Sequence, residues 1–159
     1  MNEEIASLRW RIDDLERAAI EQFNEHMETV LGVLKYENLE RVWIERLTHE
    51  NADSEFELHV VRETADGAVY KDVIDNLSES EWEVIGLVVA LAGYRVHDVH
   101  EIVPFMLLDS LDPIDSERIA RPLKYFTDFA SYLVVALLPK DAIALPDTYT
   151  VIPVTKLPA

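Results

Sequence analysis

Ser78 and Asp109 are the residues whose setting could serve a metal-bound phosphate. In Asp75-Asn76-Leu77-Ser78-Glu79-Ser80-Glu81 a hydroxyl opens an apolar, helix-like run. That hydroxyl and the unpaired N–H groups of a first helical turn can both donate to an anion. Phe105-Met106-Leu107-Leu108-Asp109 ends a short apolar strand on a carboxylate. Ligands of open α/β sheets gather at the carboxyl ends of strands, and an Asp there can hold Mg²⁺ directly or through water. No G-x-x-x-x-G-K-[ST] occurs, and Gly32, Gly67, Gly86 and Gly93 are the only glycines. The loop that cradles phosphates is therefore not legible, and half a site is present.

Each residue also has a purely local reading. Glu81, three positions after Ser78, makes a capping box that starts a helix without any ligand. Asp109 can cap the turn that follows it, and in Asp112-Pro113-Ile114-Asp115 the last Asp can cap a helix, with Ser116 as an alternative cap. His97-Asp98-Val99-His100-Glu101 has histidines three apart with acids between them, a pattern that can ligate Zn²⁺ once a third ligand is supplied. The sequence announces none, so these histidines are read as solvated or supporting. Trp43, Trp82 and Tyr94 read as core or core-edge aromatics.

The elements that must hold these groups follow from periodicity. Ile5, Leu8, Ile12, Leu15 and Ala19 recur at steps of three and four, a short a/d stripe that predicts a coiled-coil stub or an amphipathic helix. One helix is expected over 3–34, with a break near Gly32. Alternation predicts a strand over 39–46, a loop over 49–55, and a hairpin from Phe56-Glu57-Leu58-His59-Val60-Val61 through Asp66-Gly67 to Val69, Lys71 and Val73. Helices over 79–93 and 115–130 alternate with buried strands over 104–109 and 132–138, which implies parallel sheet. Pro122 predicts a kink or a late helix start. From Pro139 the chain is punctuated by Pro146, Pro153 and Pro158 and is expected along the surface.

Composition narrows the partners. The 159 residues suit one domain with its own core. With no cysteine there are no disulfides or thiolate sites. The acidic start, Met1-Asn2-Glu3-Glu4, is unlike a signal peptide, and no apolar run reaches membrane-spanning length, so no membrane partner and a cytoplasmic location are expected. Asp and Glu number 31 against 14 basic residues, a net charge of −17. Such a surface suits molar salt, where repulsion is screened, and predicts a halophilic protein. It also disfavours non-specific nucleic-acid binding through a basic patch, so DNA would be met only indirectly.

Phe23-Asn24-Glu25-His26-Met27, the run Asn38 to Arg46, Leu77 to Gly93, Val103 to Ile119 and Tyr132 to Ala142 together resemble the C-terminal head segment of archaea-specific SMC-related proteins, themselves similar to ABC-type ATPases. The resemblance covers about residues 3–145. It implies an α/β fold, the C-terminal lobe of an ABC-type ATPase head with a mixed sheet and flanking helices, preceded by a long helix. Its boundaries would be a coiled-coil stub over 1–34, the head lobe over 35–145 and a proline-rich tail over 146–159. Leu77, Ser78, Glu79 and Ser80 would form the signature motif, with Ser78 meeting the γ-phosphate held by the opposite head. Ser80 stands where most signatures have glycine. Asp109 would lie near Mg²⁺, and Asp115 would be the D-loop residue reaching across the dimer. ATP and Mg²⁺ would bind only if a Walker A lobe is supplied. Ser110 stands where such ATPases carry the glutamate that polarises water, and a serine hydroxyl is no base near neutral pH. Leu138 stands where a histidine would touch the γ-phosphate. No ATP hydrolysis by this chain alone is therefore expected. The implied partners are a Walker A-containing N-terminal lobe, another SMC-like coiled-coil protein, or a second copy, in chromosome organisation or DNA repair. The alternative is an inactive interaction module binding coiled-coil partners without nucleotide.

Overall fold

A computed structural model describes residues 2–47, 55–64, 66–109 and 111–153. The loop expected over 49–55 lies outside the described residues except for Glu55, as do Ser110 and the end of the tail.

The first helix, α1 (Asn2–Leu34), has two regimes along one axis. Met27, Val30, Leu31 and Leu34 lie on one face and are buried, whereas Ile5, Leu8, Ile12 and Leu15 of the heptad stripe are exposed. The carboxyl half belongs to the core and the amino half projects. Asn24 fixes the junction by donating from Nδ2 to the Ile44 carbonyl at 2.9 Å and accepting from the Ile44 N–H at 2.7 Å. Arg46 adds ion pairs to Asp13 and Glu16. The helix runs unbroken through Gly32, contrary to expectation, and stops at Lys35, whose φ of 47° is left-handed. A Cβ at Gly32 would meet nothing within 4 Å. Gly32→Ala is therefore expected to raise stability by roughly 0.5–1 kcal/mol, seen as a higher denaturation midpoint with unchanged m-value.

Strands β1 (Leu39–Leu47), β2 (Glu55–Glu63) and β3 (Val69–Asp72) form an antiparallel sheet in that order. Their register pairs Val42 with Val60, both buried. Trp43 faces the other way, over the His59 ring at 4.9 Å. The β2–β3 turn closes where expected, with Gly67 supplying φ of 82° and Thr64 N–H donating to the Ala68 carbonyl. A short 3₁₀ turn (Ile74–Asn76) leads into α2 (Glu79–Val96), which lays Val84, Ile85, Val88, Leu91 and Ala92 into the core.

After α3 (Val99–Ile102) the chain forms β4 (Phe105–Leu108), crosses through α4 (Ala120–Thr127) and returns as β5 (Tyr132–Val135). These two strands pair in parallel, Phe105 opposite Tyr132 and Leu108 opposite Val135. The helix starts at residue 120 rather than 115. Residues 115–119 instead form a turn in which the Arg118 and Ile119 N–H groups donate to the Asp115 carbonyl. Pro122 then sits in the first turn of α4, where a missing N–H costs nothing. The second strand stops at Val135, opposite Leu108 where β4 ends and short of Leu138, and Pro139 then opens α5 (Pro139–Ala142). The tail is not purely superficial, since Leu145 and Tyr149 pack against the core.

Both parallel strands were expected to be buried, yet only one face is. Met106 and Leu108 point inward, while Phe105, Leu107, Tyr132 and Val134 are 57, 65, 69 and 56% exposed.

Candidate functional site

The predicted site residues fall into three places. The first is the amino end of α2. The Ser78 N–H donates to Glu81 Oε2 at 2.8 Å, Ser78 Oγ donates to the same oxygen at 2.7 Å, and the Glu81 N–H points back to Ser78 Oγ at 3.4 Å. The capping box is thus formed, with Leu77 buried behind it and Glu79 exposed in the first turn. Ser80 Oγ lies 3.3 Å from Ser78 Oγ and accepts from the Tyr36 hydroxyl at 3.2 Å.

Glu81 itself is only 3% exposed, and a buried carboxylate needs a cation. Arg62, on β2, supplies it, with Nη2 lying 2.7 Å from Glu81 Oε1. The other arm of Arg62 donates to Asp72 Oδ2 at 2.9 Å, and Asn76 Nδ2 donates to Asp72 Oδ1 at 3.0 Å. The Asn76 hydrogen bond first, then Arg62 and the Val73 N–H, hold the Asp72 carboxyl below its ordinary range. The turn at Ser78 is thereby tied to β2, β3 and the 3₁₀ turn. Arg62 and Tyr36 were not picked out from sequence. An Arg between Val61 and Glu63 gives no motif, and a Tyr at a helix end gives no spacing that points 44 residues ahead.

The second place is the carboxyl end of the parallel strands. Asp109 stands exposed just past β4 and lines a shallow cleft with Asp112 and buried Asp141. The three carboxyls share that cleft without converging on one point, since among the described residues the acid and histidine ligand atoms that come within 4.8 Å of one another are those of Asp98, His100 and Glu101. Ser116 does not cap α4, since its hydroxyl donates to Asp141 instead. Leu138 lines the same cleft and offers no polar contact of a histidine kind.

The third place holds Asp115, exposed beside the turn over 35–38 and in one hollow with Tyr36. Arg118 bridges the two segments, donating from Nη1 to the Lys35 carbonyl at 3.0 Å and pairing with Glu37, with Asp115 3.8 Å away. The turn at the base of the long helix therefore borders both Ser80 and Asp115. The histidines regroup relative to expectation. Among the described residues, Asp98, His100 and Glu101 each place a ligand atom within 4.8 Å of the others, without His97. His97 ends α2 exposed, and the His100 ring packs near Tyr94 and Phe129.

No family model matches the chain. It is 55% identical to Smc-like protein Sph2 of Halobacterium salinarum across 94% of its own length, and 55% identical to Smc-like protein Sph3 of Haloferax volcanii across 89%. It spans about a quarter of the length of these relatives, 24% and 23%. Among solved structures, it is similar to the Smc head domain with an extended coiled coil from Pyrococcus furiosus, bound to the C-terminal domain of ScpA. The TM-score is 0.57 at 17% identity, covering 89% of this chain and 34% of that one. A structure from work on ATP-driven dimerization and DNA stimulated activation of SMC ATPases gives a TM-score of 0.55 at 17% identity, covering 82% and 75%. At that identity the likeness concerns the fold. No described helix is long and apolar enough to cross a membrane.

Proposed function

We propose that this SMC-like chain, similar in fold to part of an SMC ATPase head, forms the C-terminal lobe of such a head, completed by a Walker A-containing N-terminal lobe. The observation that carries this reading is the outer face of the parallel pair. Parallel strands are stable when both faces are covered. Here Phe105, Leu107, Tyr132 and Val134 lie adjacent on one face in water, and covering such side chains contributes roughly 1.5–3 kcal/mol each. Asp109 directly follows β4, at the carboxyl end of the strand whose outer face is open. The exposed stripe of Ile5, Leu8, Ile12 and Leu15 supports a helical partner for the projecting half of α1, from an SMC-like coiled-coil protein.

In the assembled head Asp109 would act toward Mg²⁺ in its own subunit. Ser78 would donate to the γ-phosphate bound by the opposite head, flanked by Leu77, Glu79 and Ser80, while Asp115 would reach across the same interface. Mg-ATP would supply the charge that these groups read. Ser110 and Leu138 remove two groups used in hydrolysis, so ATP would here drive association more than turnover, in chromosome organisation or DNA repair, with DNA met indirectly.

Calorimetry in molar KCl tests the reading. The chain alone is expected to give no heat with Mg-ATP. Mixed with the Walker A lobe of a haloarchaeal SMC-like relative, it is expected to bind Mg-ATP and dimerise. Ser78→Arg should then abolish ATP-induced dimerisation, read by light scattering, while each monomer still binds nucleotide. Asp109→Ala should weaken Mg-ATP binding itself, on the order of 10- to 100-fold. If neither variant changes binding or dimerisation, the nucleotide-independent interaction module takes the place of the head.

A further inference from the structure

We infer that Tyr36 is a positioning residue through which the base of the long helix sets the signature serine; the inference rests on the head reading above. The contact path is continuous. Tyr36 stands in the turn that follows α1, between Lys35 and Asn38, whose φ angles of 47° and 71° are both left-handed. Left-handed non-glycine residues are held only where their surroundings fix them, so this turn has a defined shape. The same turn receives Arg118 at the Lys35 carbonyl. From it the Tyr36 hydroxyl reaches Ser80 Oγ at 3.2 Å, and Ser80 Oγ lies 3.3 Å from Ser78 Oγ.

The consequence concerns one proton. Ser78 Oγ donates to Glu81 at 2.7 Å, and a phosphate, which only accepts, needs that same hydrogen. Ser78 must therefore release Glu81 before it can serve a phosphate. Ser80 is the hydroxyl beside it able to influence that choice, and Ser80 is held by Tyr36. A glycine at position 80 would have no atom for Tyr36 to hold. The serine there is thus a handle by which displacement of α1 relative to α2 changes the orientation of Ser78. Glu81 does not follow such a displacement, because Arg62 anchors it to β2.

The test uses the full chain with Tyr36→Phe, Ser80→Ala and the double variant. The phenyl ring keeps the packing of Tyr36 and removes only its donor. Amide exchange at Ser78, Glu81 and Trp82 is expected to quicken roughly three- to tenfold in each single variant, the worth of one neutral hydrogen bond. The double variant should exchange no faster than Ser80→Ala, which already removes the contact that Tyr36→Phe removes. Exchange at Val84 to Leu91 should stay unchanged. Unaltered exchange at the turn, or additive effects, would overturn the inference. With the Walker A lobe added, Tyr36→Phe should weaken ATP-induced dimerisation without changing nucleotide affinity of the monomers. Dimerisation equal to wild type would also overturn it. Were the wild-type mixture to show no ATP-induced dimerisation while the exchange result held, the head reading would fail and the Tyr36–Ser80 contact would stand.

Discussion

Arg62→Met is expected to lower the unfolding free energy by about 3 kcal/mol, read as a fall in denaturation midpoint at constant m-value. The cost does not come from the hydrogen bonds alone. Removing the guanidinium leaves Glu81, 3% exposed, as a buried carboxylate with no cation, and breaking a buried pair from one side costs about 3–5 kcal/mol. The lower end applies because the Arg62 side chain is itself partly open to water. Adding Glu81→Gln should recover part of the loss, since the amide buries no charge yet can still accept from the Ser78 N–H. The difference from wild type should also depend on acid. The folded-state pKa of Asp72 is depressed below 3.8, so its bond to Arg62 stabilises the chain above that value and is lost as pH falls through the folded pKa. The gap between Arg62→Met and wild type should therefore narrow below about pH 4. A variant as stable as wild type near neutral pH would mean that Glu81 has another cation or is not buried in solution.

The parts of this architecture that local chemistry controls were legible in the residues. Ser78 with Glu81 names a helix start, Asp66-Gly67 names a turn, and Phe105 to Asp109 names a strand that ends on a carboxylate. Each depends on positions within a few residues, so sequence suffices. The extent of elements was less legible. The helix expected from 115 begins at 120 because Asp115 closes its own turn first, and the strand expected to reach Leu138 stops at Val135. The first boundary is set by a backbone turn and the second by the length of the partner strand β4, and periodicity encodes neither. Least legible were the long-range partners. Nothing near Tyr36 announces Ser80, and nothing near Arg62 announces Glu81, although these contacts determine how the turn at Ser78 is held. The apolar runs at β4 and β5 predict buried strands because composition cannot tell a strand covered on both faces from one whose outer face the chain leaves open.

Diluting salt is expected to lower the melting temperature by roughly 10 °C between molar and about 0.1 M KCl. Two electrostatic effects oppose each other here. Ion pairs such as Arg17 with Asp14 and Arg118 with Glu37 gain as salt is removed. Exposed pairs are worth only about 0.2–1 kcal/mol each, and few can form, since 14 basic residues face 31 acidic ones. The excess of 17 negative charges works the other way. Its repulsion is confined to about 3 Å at 1 M salt and reaches about 10 Å at 0.1 M, a range that spans neighbouring carboxylates across this small surface. Each kcal/mol of repulsion lowers the melting temperature of a domain this size by about 2–4 °C, so a few kcal/mol suffice for the expected fall. Because screening depends on ionic strength, NaCl should restore the loss as KCl does, while an uncharged osmolyte at equal osmolality should restore much less. The Arg62–Glu81 pair gives an internal control, being shielded from solvent on the Glu81 side and so little screened. The stability lost in Arg62→Met should be nearly the same at high and low salt even as both proteins weaken together. A melting temperature unchanged on dilution would remove screening as the reason for the acidic surface.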